Sequence, residues 1–182
     1  MIHLLIFSNI MLVQLPEQSK AYKYHDLKAD VYFHKGNYPE MIYHLLEKVK
    51  IDPKDVQSWS DIGYYYWSLS VDSKDRKTEF QDKAINSLKK GLELNKNSYY
   101  MWDEIGKFHL YRDKQFNLAK EYFQKAVEFK DCPMVTYHFF ALCYEQENNY
   151  GKAIKILEDC LKKFPNDEKA KSKIKSLKES NF

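Results

Sequence analysis

Among the side chains able to hold a metal or act as nucleophiles, Cys132, His138 and Cys143 fall close together in the sequence. Two thiolates and an imidazole are zinc-type ligands, yet their spacing matches no standard zinc pattern and no fourth ligand is evident. No metal and no other cofactor is therefore expected. Three cysteines are few and odd in number, which indicates no disulfide framework. Cys143 and Cys160 are expected as buried small hydrophobes. The chain has no glycine-rich phosphate loop, no nucleophile-elbow pattern and no paired-histidine metal motif. Isolated carboxylates and histidines occur on every helical protein. The expectation is no enzyme and no catalytic residue.

The elements that would position any site come from a pattern repeated four times. Trp59-x2-Ile62-Gly63-x2-Tyr66 is followed by Ala84-x3-Leu88 and Gly91. Trp102-x2-Ile105-Gly106-x2-His109 is followed by Ala119-x3-Phe123 and Ala126. Tyr137-x2-Phe140-Ala141-x2-Tyr144 leads to Ala153-x3-Leu157, Cys160 and Pro165. A weaker copy, His25-x2-Lys28-Ala29-x2-Tyr32, leads to Met41-x3-Leu45 and Pro53. In the second half of each copy, paired positions such as Ala119 and Ala126 stand seven residues apart, about two helical turns, on one face. Glycine inside a helix costs roughly 1 kcal/mol relative to alanine. Gly63 and Gly106 therefore predict a close approach of the paired helices, with Trp59, Tyr66, Trp102 and Phe123 filling the core around it.

This pattern resembles the tetratricopeptide repeat, a helix–turn–helix unit of about 34 residues whose apolar faces are buried only by stacking. The resemblance implies an all-α fold: a right-handed α-solenoid of about four helix pairs with a C-terminal capping helix. Repeats are placed at 22–55, 56–98, 99–133 and 134–167, with an apolar N-terminal segment at 1–21 and the cap at 168–182. The starts Tyr22, Val56, Tyr99 and Met134 are 34, 43 and 35 residues apart. The long step marks an insertion near 70–80, polar as an exposed turn or helix extension should be. Ala170, Ile174 and Leu177 form one apolar stripe on the cap, and the other faces are charged.

Such arrays usually bind other proteins, so the resemblance implies a protein-binding scaffold. In the family the first helix of each repeat lines a concave groove. The corresponding positions here include Asp26, Asp30 and Phe33, then Tyr64 and Trp67, then Tyr100, Asp103, Lys107 and Tyr111, and His138. Aromatic faces serve as binding anchors, and the carboxylates favour a protein or peptide bearing basic residues. Some members hold the terminal carboxylate of heat-shock chaperones with Lys and Asn; Asp26, Asp30 and Asp61 would repel that ligand. The alternative is a structural repeat protein that self-associates through its end faces, and oligomeric state separates the two.

The remaining signals bound the setting. Net charge is +3, from 29 Lys and Arg against 26 Asp and Glu, too balanced to imply nucleic acid. Leu4 to Leu15 is apolar but too short for a comfortable membrane span. With Ser19-Lys20-Ala21 it resembles a signal peptide cleaved after Ala21, implying export. Against this, no Lys or Arg precedes the apolar run, and a cytoplasmic chain with a structural N-terminal cap is the alternative.

Overall fold

Helix starts are written locally. Asn37, Asp55, Ser98, Asn149 and Asp167 each turn a side-chain oxygen onto the backbone N–H three residues later, at 3.3, 3.0, 3.4, 3.3 and 3.1 Å. Each such cap satisfies a donor that the first turn leaves without a partner. Pro39 sits in the first turn of its helix, where the missing N–H costs nothing.

The computed structural model describes residues 16–73, 75–112 and 114–179. The helices are α1 (Glu17–His34), α2 (Tyr38–Ile51), α3 (Val56–Asp72), α4 (Lys77–Leu94), α5 (Tyr99–Tyr111), α6 (Phe116–Val127), α7 (Met134–Gln146), α8 (Tyr150–Lys163) and α9 (Glu168–Glu179). The fold is all-α, and among the described residues there is no strand. No helix among them is long and apolar enough to cross a membrane. The apolar segment Leu4–Leu15 lies outside the described residues, whereas Ser19 to Ala21 lie inside α1.

Two compact units divide the chain, the first ending at Asn95 and the second beginning at Lys96. In the first, α1 packs on α2, α2 on α3 and α3 on α4. Its core holds Ala29, Met41, Ile42, Leu45, Val49 and Ile62. In the second, α5 packs on α6, α6 on α7, α7 on α8 and α8 on α9. Phe123 and Phe140 anchor its centre, while Ala170 and Leu177 seat the last helix on Ala153 and Leu157.

Gly63 and Gly106, inside helices, permit the approaches expected of them. A Cβ on Gly63 would stand 2.6 Å from Leu88 Cγ, and one on Gly106 would stand 2.8 Å from the Phe123 ring. The tryptophans differ from expectation. Trp59 and Trp102 are half-buried, each donating its indole N–H to a carbonyl six residues back, Pro53 at 3.0 Å and Lys96 at 2.9 Å. Burial of the polar ring edge would need such a partner, and it ties each ring to the preceding loop. Ile62 and Ile105, both 0% exposed, occupy the core beside them.

The insertion is mostly helix. It lengthens α3 and α4 to 17 and 18 residues and leaves 73–76 as the connection. Ser70 is buried, its hydroxyl donating to the Trp67 carbonyl at 2.7 Å. Phe80 stacks on Tyr66, and the Arg76 guanidinium lies over the Phe80 ring. Ser70 and Phe80 therefore pack at the two ends of the 70–80 stretch, while Val71, Asp72 and residues 75–79 are exposed.

Candidate protein-binding clefts

In the first unit, α1 and α3 present their side chains across a floor of Ala29, Met41 and Leu45. Asp26, Asp30 and Phe33 line this cleft from α1, and Gln57, Asp61 and Tyr65 from α3, around a volume of about 310 Å³. The spacing 26–30–33 and 57–61–65 is that of one helix face.

Charges in this cleft are unequally satisfied. Lys48 reaches Asp26 at 2.6 Å and Asp55 at 3.4 Å, and its ammonium lies 4.9 Å from the Tyr22 ring centroid. Burial works to lower the Lys48 pKa, but the bond to Asp26 and the field of Asp55 outweigh it and hold the pKa above its ordinary value. Asp61 forms no ion pair among the described residues. It accepts only the Gln57 amide at 2.8 Å, and burial raises its pKa above the ordinary carboxylate value. Burial also raises the pKa of the neighbouring Tyr65 phenol, with Asp61 adding to the effect.

The second unit has its own cleft, of about 540 Å³. Tyr111 and His138 line it together with Phe139, Leu142 and Glu145. Lys169 and Lys173 come from the last helix, and Lys173 pairs with Glu145 at 2.6 Å. Desolvation raises the Tyr111 pKa.

Some expected residues sit elsewhere. Asp103 is buried, 3% exposed, and receives the Lys107 ammonium at 2.6 Å, so it is not an exposed acidic edge. Lys107 also pairs with Glu104 at 2.8 Å and lies over the Phe139 ring. Burial would lower the Lys107 pKa, but Glu104 and Asp103 hold it raised. Tyr64 is half exposed beside the first cleft, its ring edge-on to Tyr65. Trp67, of the first unit, and Tyr100, of the second, are half-buried and line neither cleft. Tyr65 was missed in sequence because three tyrosines in succession, 64–66, leave the face ambiguous; stepping four residues from Gln57 through Asp61 identifies it.

The cysteines fall in two places. Cys143 belongs to the Phe123 cluster, while Cys132 and Cys160 share a cluster with Ala126 and Tyr137. His138 meets Asp167 and Cys160 instead of Cys143.

A family model described as tetratricopeptide repeat matches residues 140–167. No curated protein matches the chain in sequence. Among solved structures, MamA is similar with 21% identity over 90% of this chain and 84% of that one, at a TM-score of 0.75. A thermophilic TPR protein from Thermus thermophilus is 14% identical over 96% and 88%, TM-score 0.62. PilF of Pseudomonas aeruginosa is 14% identical over 91% and 71%, TM-score 0.65. At these identities the likeness is one of fold.

Proposed function

Residues 140–167 match the tetratricopeptide repeat and the fold is shared with a tetratricopeptide-repeat protein; from this we propose that the chain is a non-catalytic protein-interaction scaffold whose first unit takes a basic peptide segment. The observation that carries this reading is Asp61. Its carboxylate is partly buried and forms no ion pair among the described residues, and desolvation raises its pKa against the weaker pull of Gln57 and of the more distant Lys48. An incoming Lys or Arg would supply the missing charge, and Asp30 stands on the facing helix to orient it. Phe33 and Tyr65 offer apolar contact for the neighbouring side chain of the peptide.

Selection from a random peptide display library on the immobilised full chain tests the reading. Enriched peptides should carry Lys or Arg beside an aromatic or aliphatic residue. Their affinity should fall with added salt, and Asp61→Asn should weaken it about tenfold, the loss of one charge-assisted contact. Enrichment of acidic peptides, or an affinity untouched by both Asp61→Asn and Asp30→Asn, would overturn it. A concentration-dependent oligomer with no peptide enrichment would favour self-association instead.

A further inference from the structure

The first and last repeats build the same node from different side chains. Asp26, Lys48 and Asp55 stand 112 residues before His138, Cys160 and Asp167, position for position. In each trio the first residue lies on the first helix of a pair, the second on the second helix, and the third is the N-cap of the helix that follows. In the first repeat a cation fills the node, the Lys48 ammonium held between Asp26 and Asp55. In the last repeat Cys160 replaces that lysine, so the node has lost its fixed positive charge. What surrounds it are three donors of different chemistry, an imidazole nitrogen, a thiol sulfur and a carboxylate oxygen, all within 4.8 Å of one another.

We propose that this node is a binding site for a zinc-class divalent cation, held by His138 Nε2, Cys160 Sγ and Asp167 Oδ2. Sulfur, nitrogen and oxygen donors together suit zinc or cobalt and not calcium or magnesium. Cys160 and Asp167 are buried, and the partly exposed His138 lines the second cleft, the side from which a water would have to come as fourth ligand. Asp167 Oδ1 caps the last helix through the Ala170 N–H at 3.1 Å, so Oδ2 is the atom turned to the node. The Cys160 sulfur stands 3.5 Å from it, a separation that two ligands of one ion can keep. His138 Nε2 stands 2.7 Å from it, joined by a proton, and must withdraw by about 0.5–1 Å for bonds of about 2.0–2.3 Å to a shared ion.

The protons balance simply. Cys160 gives up its thiol proton to solvent, and neutral His138 loses the Nε2 proton it shares with Asp167 and takes one up on Nδ1, which frees the Nε2 lone pair for the ion. One thiolate, one carboxylate and a dication then sum to zero charge, which suits a buried setting. Lys163, on the same helix as Cys160, gives its ammonium to the carbonyls of Phe129 and Cys132, both at 3.0 Å.

The probe is Co2+, titrated into the reduced full chain. A near-ultraviolet thiolate-to-cobalt band should rise and saturate at one equivalent, and Zn2+ should then bleach it. Cys160→Ser should abolish the band, and His138→Gln should weaken uptake at least tenfold. Cys143→Ser, outside the node, should leave both unchanged. Asp167→Asn keeps an oxygen for the helix cap while removing the charge, and it should weaken uptake with helical content intact. Circular dichroism of each variant separates loss of ligand from loss of fold. Absence of a thiolate band in the unaltered chain overturns the site, leaving the His138–Asp167 pair as a hydrogen bond alone. A band that survives Cys160→Ser in a folded variant also overturns it.

Discussion

His44 ties the stability of the first unit to pH. It is 7% accessible and stacked on Tyr32, and its Nδ1 shares a hydrogen bond of 2.8 Å with His25 Nδ1. Burial lowers its pKa, and the neighbouring His25 and Lys28 push the same way against Glu40 and Glu47. A histidine depressed in the folded state binds its proton more readily once unfolded. Stability of the first unit should therefore fall as pH drops through about 6.5, the unfolded value, with the loss complete below the folded pKa. Urea unfolding of the full chain between about pH 7.5 and pH 5.5 measures the slope. His44→Phe keeps a ring in the stack and should flatten it; an unchanged slope would assign the effect to other groups. At this scale the sequence was least legible. Asp103 reads as a rim charge because acids usually are, yet Lys107 lies one turn on and accompanies it into the protein. Tyr65 hid between two other tyrosines, and Lys169 reaches a cleft only because the last helix borders the same space as α7, a packing fact with no local signature.

Among elements, the close helix pairs depend on what glycine omits. Alanine at 106 would gain roughly 1 kcal/mol of helix propensity. Its Cβ would also sit 2.8 Å from the ring of Phe123, which is 0% exposed and has nowhere to go. Overpacking of that kind costs about 1–3 kcal/mol. Gly106→Ala should therefore destabilise the second unit by roughly 1 kcal/mol, and the penalty should shrink in a Phe123→Leu background, as a double-mutant cycle in urea would show. A stabilised Gly106→Ala would mean that α5 and α6 part freely. These pairs were legible because the cue is a conflict: a poor helix former at a fixed step from small residues on the next helix. The lengthened α3–α4 hairpin was legible only as extra residues. Nothing in a polar run states how far each helix will continue, and the stacking of Phe80 on Tyr66 appears only in the structure.

For the whole molecule, the all-α repeat fold follows from the recurring spacing, which no single residue could have supplied. Its division into two units has a chemical consequence. The three cysteines, 132, 143 and 160, all belong to the second unit, and the sequence before Lys96 has none. All three thiols are buried, and desolvation raises their pKa values, to about 12 for Cys143 and Cys160. A thiol reacts as its thiolate, so none should be alkylated at neutral pH while that unit stays folded. A pulse of iodoacetamide, counted by intact mass at increasing urea, should label three sites together at the transition of the second unit. If the first unit unfolds in a separate step, the count should stay at zero through that step. Labelling of any thiol in native buffer at the rate of a free cysteine would refute this. Otherwise the chain carries a covalent clock for one half of itself, and the silent half can be timed by difference against circular dichroism.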